Sequence, residues 1–224
     1  MPMSTSPTYP FERLEYGETL EVAPGIHWLR MPLPFALNHI NLWLLKDGDG
    51  WTVVDTGVDT AEVRGHWEAV FEGLLDGRPI RRLIVTHFHP DHIALAGWLA
   101  GRWDATLWMT YAEWLQAHLG RTNTVTTDID HRVAFFRANG LDAESAATYR
   151  AERPDFDRLV SPVPVTLRRM FDGDEIEIDG NGWQVITGSG HSPDHAALWC
   201  RELGVLISGD QVLPRITTNI SLPH

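Results

Sequence analysis

Short apolar runs spaced for strands dominate both ends of the chain, and helix-spaced runs fill its middle. Thr19–Val22, Ile26–Met31, Ile40–Leu45 and Trp51–Val54 alternate or are rich in β-branched and aromatic residues, which predicts four strands. The turn Asp47-Gly48-Asp49-Gly50 between the last two is a hairpin signal. From Thr60 to Leu75 the apolar residues Val63, Trp67, Val70, Phe71 and Leu74 share one helical face. Arg82–Val85 is a strand of the fully buried kind, Ile93–Ala100 reads as a helix and Ala105–Met109 as another strand. Tyr111 to about Arg158 is helical and mixed in charge, and Pro162 and Pro164 close it. The chain then returns to strands at Val165–Leu167, Glu175–Ile178, Trp183–Thr187, Ala197–Cys200 and Val205–Ser208. This order predicts one mixed α/β domain over residues 18–224, with a helical insertion at about 111–158 and a loose lead-in over residues 1–17.

Composition narrows the class. Apolar residues make up 43%, enough for a sizeable core. The net charge of −12 repels phosphate backbones, and the pairs Arg81-Arg82 and Arg168-Arg169 are isolated, so no nucleic-acid partner is expected. The single cysteine, Cys200, has no intramolecular partner and reads as a core residue. The N-terminal residues have neither a basic start nor an apolar stretch, and no run of about 18 apolar residues exists to span a bilayer. A cytoplasmic protein with no membrane partner is the expectation.

Chemistry concentrates where buried strands end. Arg82–Val85 runs straight into Thr86-His87-Phe88-His89-Pro90-Asp91-His92, which places four metal-capable side chains within six residues. Residues i and i+2 of an extended segment point the same way, so His87 and His89 suit one ion. Asp91 and His92 fall at the turn into the next helix and suit a second. The bland alternative is a polar loop whose histidines and Asp91 cap that helix. Gly188-Ser189-Gly190-His191-Ser192-Pro193-Asp194-His195 and Leu206-Ile207-Ser208-Gly209-Asp210 repeat the arrangement of a strand that delivers a ligand-capable residue. Imidazole and carboxylate suit zinc, and also manganese or iron.

The order THFHPDH, GHSPDH and SGD, with the Asp55-Thr56-Gly57 turn ahead of it, resembles the metallo-β-lactamase superfamily from about residue 18 onward. The resemblance implies a four-layer αββα sandwich with the site along one edge of two sheets. It implies that His87, His89 and His191 hold a first ion, that Asp91 and His92 hold a second, and that Asp210 bridges them. Zinc, as one or two ions, is the expected cofactor. Asp55 is expected to support the ligand loop, and Asp91 to orient the nucleophile or relay its proton. His195 is expected to be structural, or else to support the ligands or face the substrate.

The implied chemistry is hydrolysis by a metal-bound hydroxide, with a thioester or other small acyl compound as substrate, in the manner of the glyoxalase-II-like enzymes. A lactone hydrolase is the alternative; a ribonuclease and a di-iron redox protein rank lower. Met31–Leu37 is expected at the pocket mouth, and Trp114, Phe135 and Phe136 of the insertion as a lid or as packing. The family completes its second site with a histidine well downstream of the bridging aspartate. Only 14 residues follow Asp210, with His224 the one candidate. His224 is not expected to complete the site; the expectation is a C-terminal part beyond this chain or a ligand donated by a partner chain. The first case implies a weak second site and an uncovered sheet face that favours association between copies.

Overall fold

The computed structural model describes residues 7–35, 37–120, 129–152 and 160–220. Two sheets face one another. The first orders its seven strands as β1(Thr19–Ala23), β2(Ile26–Pro32), β3(His39–Asp47), β4(Gly50–Val54), β5(Ile80–Ile84), β6(Thr106–Met109) and β7(Leu167–Arg169). Pairing is antiparallel from β1 to β4 and parallel from β4 to β7. The second orders β11(Val205–Ile207), β10(His195–Cys200), β9(Asn181–Gly188) and β8(Glu175–Ile178), all antiparallel.

Every residue of β4 is buried because both faces of the first sheet are covered. Alternate residues serve the two sides. Trp51, Val53, Leu83 and Val85 join a core with helix α1(Ala61–Glu72), whereas Val54 and Ile84 meet Val185, Leu198 and Ile207 of the second sheet. Helix α1 starts at Thr60, whose hydroxyl accepts the Val63 N–H, and buries Val63, Trp67, Val70 and Phe71 against the sheet. Burying each large side chain contributes roughly 1.5–3 kcal/mol. Cys200 is fully buried in the second core, as expected of a packing residue.

Helices on the first sheet, then two sheets, form three layers of the expected sandwich. The outer face of the second sheet, with Ile186 and Leu206 exposed, carries no helix among the described residues. No described helix is long and apolar enough to cross a membrane.

Local differences from the sequence expectation have physical causes. The helix expected at Ile93–Ala100 is two helices, α2(Pro90–Ile93) and α3(Ala96–Trp103). They are separated where the Thr56 hydroxyl accepts the Leu95 N–H. The strand expected at Val165–Leu167 is shifted to Leu167–Arg169, where residues pair with β6 beyond the reach of Pro162 and Pro164. The insertion resolves into α4(Tyr111–Gly120), α5(Ile129–Ala138) and α6(Ala143–Glu152), and its expected end at Arg158 lies outside the described residues. Its aromatics pack locally: Trp114 donates to the Pro164 carbonyl, and Phe136 meets Tyr149 at 5.3 Å. In the segment expected at the pocket mouth, Met31 and Leu33 are buried in the first core instead, Leu37 is exposed and Ala36 lies outside the described residues. The lead-in is not loose throughout, since the buried Arg30 donates to the Leu14 carbonyl and stacks on Tyr16.

Candidate metal centre

Parallel strands β4, β5 and β6 end at the same edge, and each hands the chain to a functional loop. After β4 comes Asp55, in a left-handed conformation with φ 62°. After β5 come Thr86, His87 and His89, and after β6 come Thr110 and Glu113. The second sheet adds His191 after β9 and Asp210 after β11. The Ala196 N–H donates to the Thr86 carbonyl at 2.9 Å and joins the two sheets beside the site.

Three imidazoles converge. His87 Nε2 lies 2.9 Å from His89 Nδ1 and 3.1 Å from His191 Nε2. Tetrahedral ligands on one zinc ion sit about 3.3 Å apart, so the spacing fits a shared cation. The hydrogen-bond network also fits. His191 Nδ1 donates to the Asn219 carbonyl at 2.8 Å, which turns Nε2 toward the site. Thr86 Oγ1 lies within 3.1 Å of both Asp55 carboxylate oxygens and gives its proton there. It therefore accepts from His87 Nδ1 at 3.0 Å, and His87 Nε2 likewise faces inward unprotonated. Two ring nitrogens 3.1 Å apart, aimed at one point, are spaced for a cation between them. Burial, reinforced by the neighbouring histidines, holds His87 well below the ordinary histidine range and His89 at about 3, so both are neutral and able to ligate a cation.

A second group of ligand atoms adjoins the first. His92 is buried, its Nδ1 donates to Asp55 at 2.8 Å, and its Nε2 is buried without a hydrogen-bond partner. That nitrogen points at carboxylates: Asp210 Oδ1 at 3.4 Å and Asp91 Oδ2 at 3.6 Å. The other Asp210 oxygen lies 3.4 Å from His191 Nε2, so one carboxylate faces both groups. Burial opposes charge on His92, but Asp55, Asp91 and Asp210 outweigh it and raise its pKa well above the usual value. A field that favours a proton there also favours a metal cation. Burial raises Asp91, whereas His92 and His191 outweigh the burial of Asp210 and hold it at about 2. His87, His89 and His191 form one candidate ligand set, and His87, His92 and Asp210 another.

None of these groups is spent on capping. His89 occupies the N-cap position of α2 without a side-chain cap bond, and Asp91 lies inside that helix. The Asp55-Thr56-Gly57 turn instead holds α2 by its backbone, since Thr56 donates both N–H and hydroxyl to the His92 carbonyl. His195 is wholly buried, stacks on His87 at 4.8 Å, and accepts the Asp210 N–H at 3.1 Å through Nε2. A Cβ on Gly209, where φ is +49°, would lie 2.5 Å from that same Nε2, so only glycine lets the chain reach Asp210 over His195. His224 lies outside the described residues.

Sequence reasoning missed three participants: Glu113, Thr110 and the Asn219 carbonyl. The Glu113 carboxylate accepts the Phe88 N–H at 3.0 Å and the Asp194 N–H at 2.7 Å. An acidic residue in a first helical turn is ordinary, so nothing in its spacing set it apart. A backbone carbonyl carries no side-chain signal at all.

The family profile of the Metallo-beta-lactamase superfamily matches residues 37–224. A beta-lactamase domain protein from Burkholderia ambifaria superposes with a TM-score of 0.84 and 46% identity, covering 96% of this chain and 62% of that one. The beta-lactamase-like protein 2 homolog of Caenorhabditis elegans is 27% identical over 84% of this chain and 49% of its own length. Hydroxyacylglutathione hydrolase of Rhodobacter capsulatus is 26% identical over 75% of this chain and 49% of its own. The chain thus spans about half the length of these two curated relatives.

Proposed function

We propose, from the premise that this chain belongs to the metallo-beta-lactamase superfamily, that it hydrolyses a thioester or similar small acyl compound at a zinc centre. The superfamily is generally one of metal-dependent hydrolases, and a divalent metal is implied by the histidine-rich cluster. The observation that carries the reading is the meeting of three converging imidazoles with a carboxylate group through the two oxygens of Asp210. His87, His89 and His191 would hold a first ion, Asp91 and His92 a second, and Asp210 would face both. When bound, such ions acidify water and polarise a carbonyl, which supplies a nucleophile at neutral pH.

The chain's own residues do the remaining work. Asp55 fixes the His92 tautomer, and His195 and Gly209 hold the Asp210 backbone. Asp91 is the proton carrier: its carboxyl lies 3.6 Å from His92 Nε2, and burial raises its pKa above that of an ordinary aspartate. The likeness to a hydroxyacylglutathione hydrolase supports a thioester over the lactone alternative. A small-molecule partner and no nucleic acid fit the net charge of −12.

A panel of acylglutathione, acyl-coenzyme A, lactone and RNA substrates, run with metal analysis, tests this. Thioester turnover that is lost with a chelator and restored by zinc is expected. Metal-loaded protein that cleaves lactone or RNA but no thioester overturns it.

A further inference from the structure

We infer that Glu113, at the root of the helical insertion, is a positioning residue of the metal centre, one carboxylate locking the two ligand loops together. This rests on the reading of the histidine cluster as a metal site and adds a residue that the ligand motifs do not contain. Glu113 is 0% exposed, in the first turn of α4. Its Oε2 accepts from Phe88, the residue between His87 and His89. Its Oε1 accepts from Asp194, between His191 and His195. These loops belong to different sheets and lie about a hundred residues apart in the chain, as the contact between His191 and His87 spans 104 positions. Thr110, at the end of β6, closes the same corner by donating its hydroxyl to the Asp194 carbonyl at 2.8 Å.

The chemistry of the clamp is specific to a carboxylate. Both amides donate, so both oxygens of the side chain must accept, and only an ionised carboxylate offers two acceptors on one rigid plane. A buried carboxylate persists only where its hydrogen bonds are satisfied. Among the described residues no basic side chain pairs with it; backbone donors from the two loops do that work. Separating His191 from His87 and His89 therefore requires breaking a charge-assisted hydrogen bond. The insertion is thus joined to the metal-binding scaffold at its base, whatever its outer helices α5 and α6 cover.

The test is the affinity of the full chain for cobalt(II), measured by chelator competition with the visible cobalt spectrum recorded alongside. In Glu113→Gln one end of the amide can only donate, so it meets an N–H without accepting. Glu113→Gln and Glu113→Ala are expected to weaken first-ion binding about 10–100-fold and to alter the cobalt spectrum, with the circular dichroism of the fold retained. Trp114→Phe, one residue along the same helix, removes the bond to the Pro164 carbonyl but leaves both loops tied. It is expected to lower thermal stability and leave cobalt affinity unchanged, which separates positioning from mere support of α4. Should the Glu113 variants fail to fold, Thr110→Val releases only the Asp194 carbonyl and is expected to weaken binding a few-fold. Folded Glu113→Gln with wild-type affinity and spectrum overturns the inference, as does wild-type affinity in Thr110→Val if that variant alone folds. A wild-type chain that takes up no cobalt overturns the metal-centre reading itself, and the role of Glu113 with it.

Discussion

The three-imidazole cluster and the carboxylate cluster beside it both face Asp210 but are built on opposite principles. In the first, shape precedes the ion. His87 and His191 have their remote nitrogens fixed by Thr86 and by the Asn219 carbonyl, and burial keeps the cluster's His87 and His89 neutral. In the second, charge precedes the ion. Asp91 and Asp210 remain 20% and 25% exposed, and His92 is the one member with a fixed remote nitrogen, held by Asp55. The first cluster is ready for a cation because its donors are aimed; the second because its carboxylates create a field that favours positive charge.

The comparison breaks most visibly at Asp91. If the carboxylate cluster serves catalysis while the imidazoles hold the first ion, Asp91→Asn should lower turnover about 10²–10⁴-fold and leave first-ion content intact. Turnover and bound metal measured on one preparation decide it; unchanged turnover at full metal content removes Asp91 from the reaction.

Asp55 sharpens the contrast. Asp55→Asn leaves a single acceptor oxygen for which the Thr86 N–H and His92 Nδ1 compete, and reaches His87 only through Thr86. Second-ion affinity should therefore fall about 10–100-fold, with a smaller loss for the first. Stepwise zinc titration resolves the two, and an equal loss at both would mean that Asp55 does not distinguish the clusters.

The smallest effect is a pH dependence of the metal-free protein. Burial holds His195 at about 4, against about 6.5 in an unfolded chain. Between those values the unfolded state binds a proton that the folded state refuses, so stability falls as pH drops below about 6.5. At pH 5 the loss is about 2 kcal/mol. His92, raised by its carboxylates, acts in the opposite direction and loses its stabilisation as pH rises through its folded value. His195→Gln keeps an acceptor for the Asp210 N–H but cannot titrate, so its unfolding free energy in chelator should fall less steeply between pH 6.5 and 5. Parallel curves for variant and wild type would assign the acid sensitivity elsewhere.

The site was legible in proportion to how local it is. The THFHPDH run places His87, His89, Asp91 and His92 within one loop, and two-residue spacing after a buried strand brings His87 and His89 together. The split of α2 from α3 was hidden, because the cause is a hydroxyl on Thr56, 39 positions from the Leu95 amide it accepts. Leu33 and Met31 looked like a pocket mouth because apolarity alone does not say which side of a loop meets the core.

What the sequence determined by itself was the set of strands, the one helix with a clear apolar face, and the identity of the side chains at the strand ends. Periodicity and side-chain chemistry are properties of neighbouring residues, and they need no partner to be read. Tertiary structure decided the rest: that Asp210 faces both clusters, that His195 holds its backbone, and that Glu113 ties loops from two sheets. Those relations are ion-pair contacts and hydrogen bonds between groups distant along the chain. Their geometry exists only once the sheets have packed.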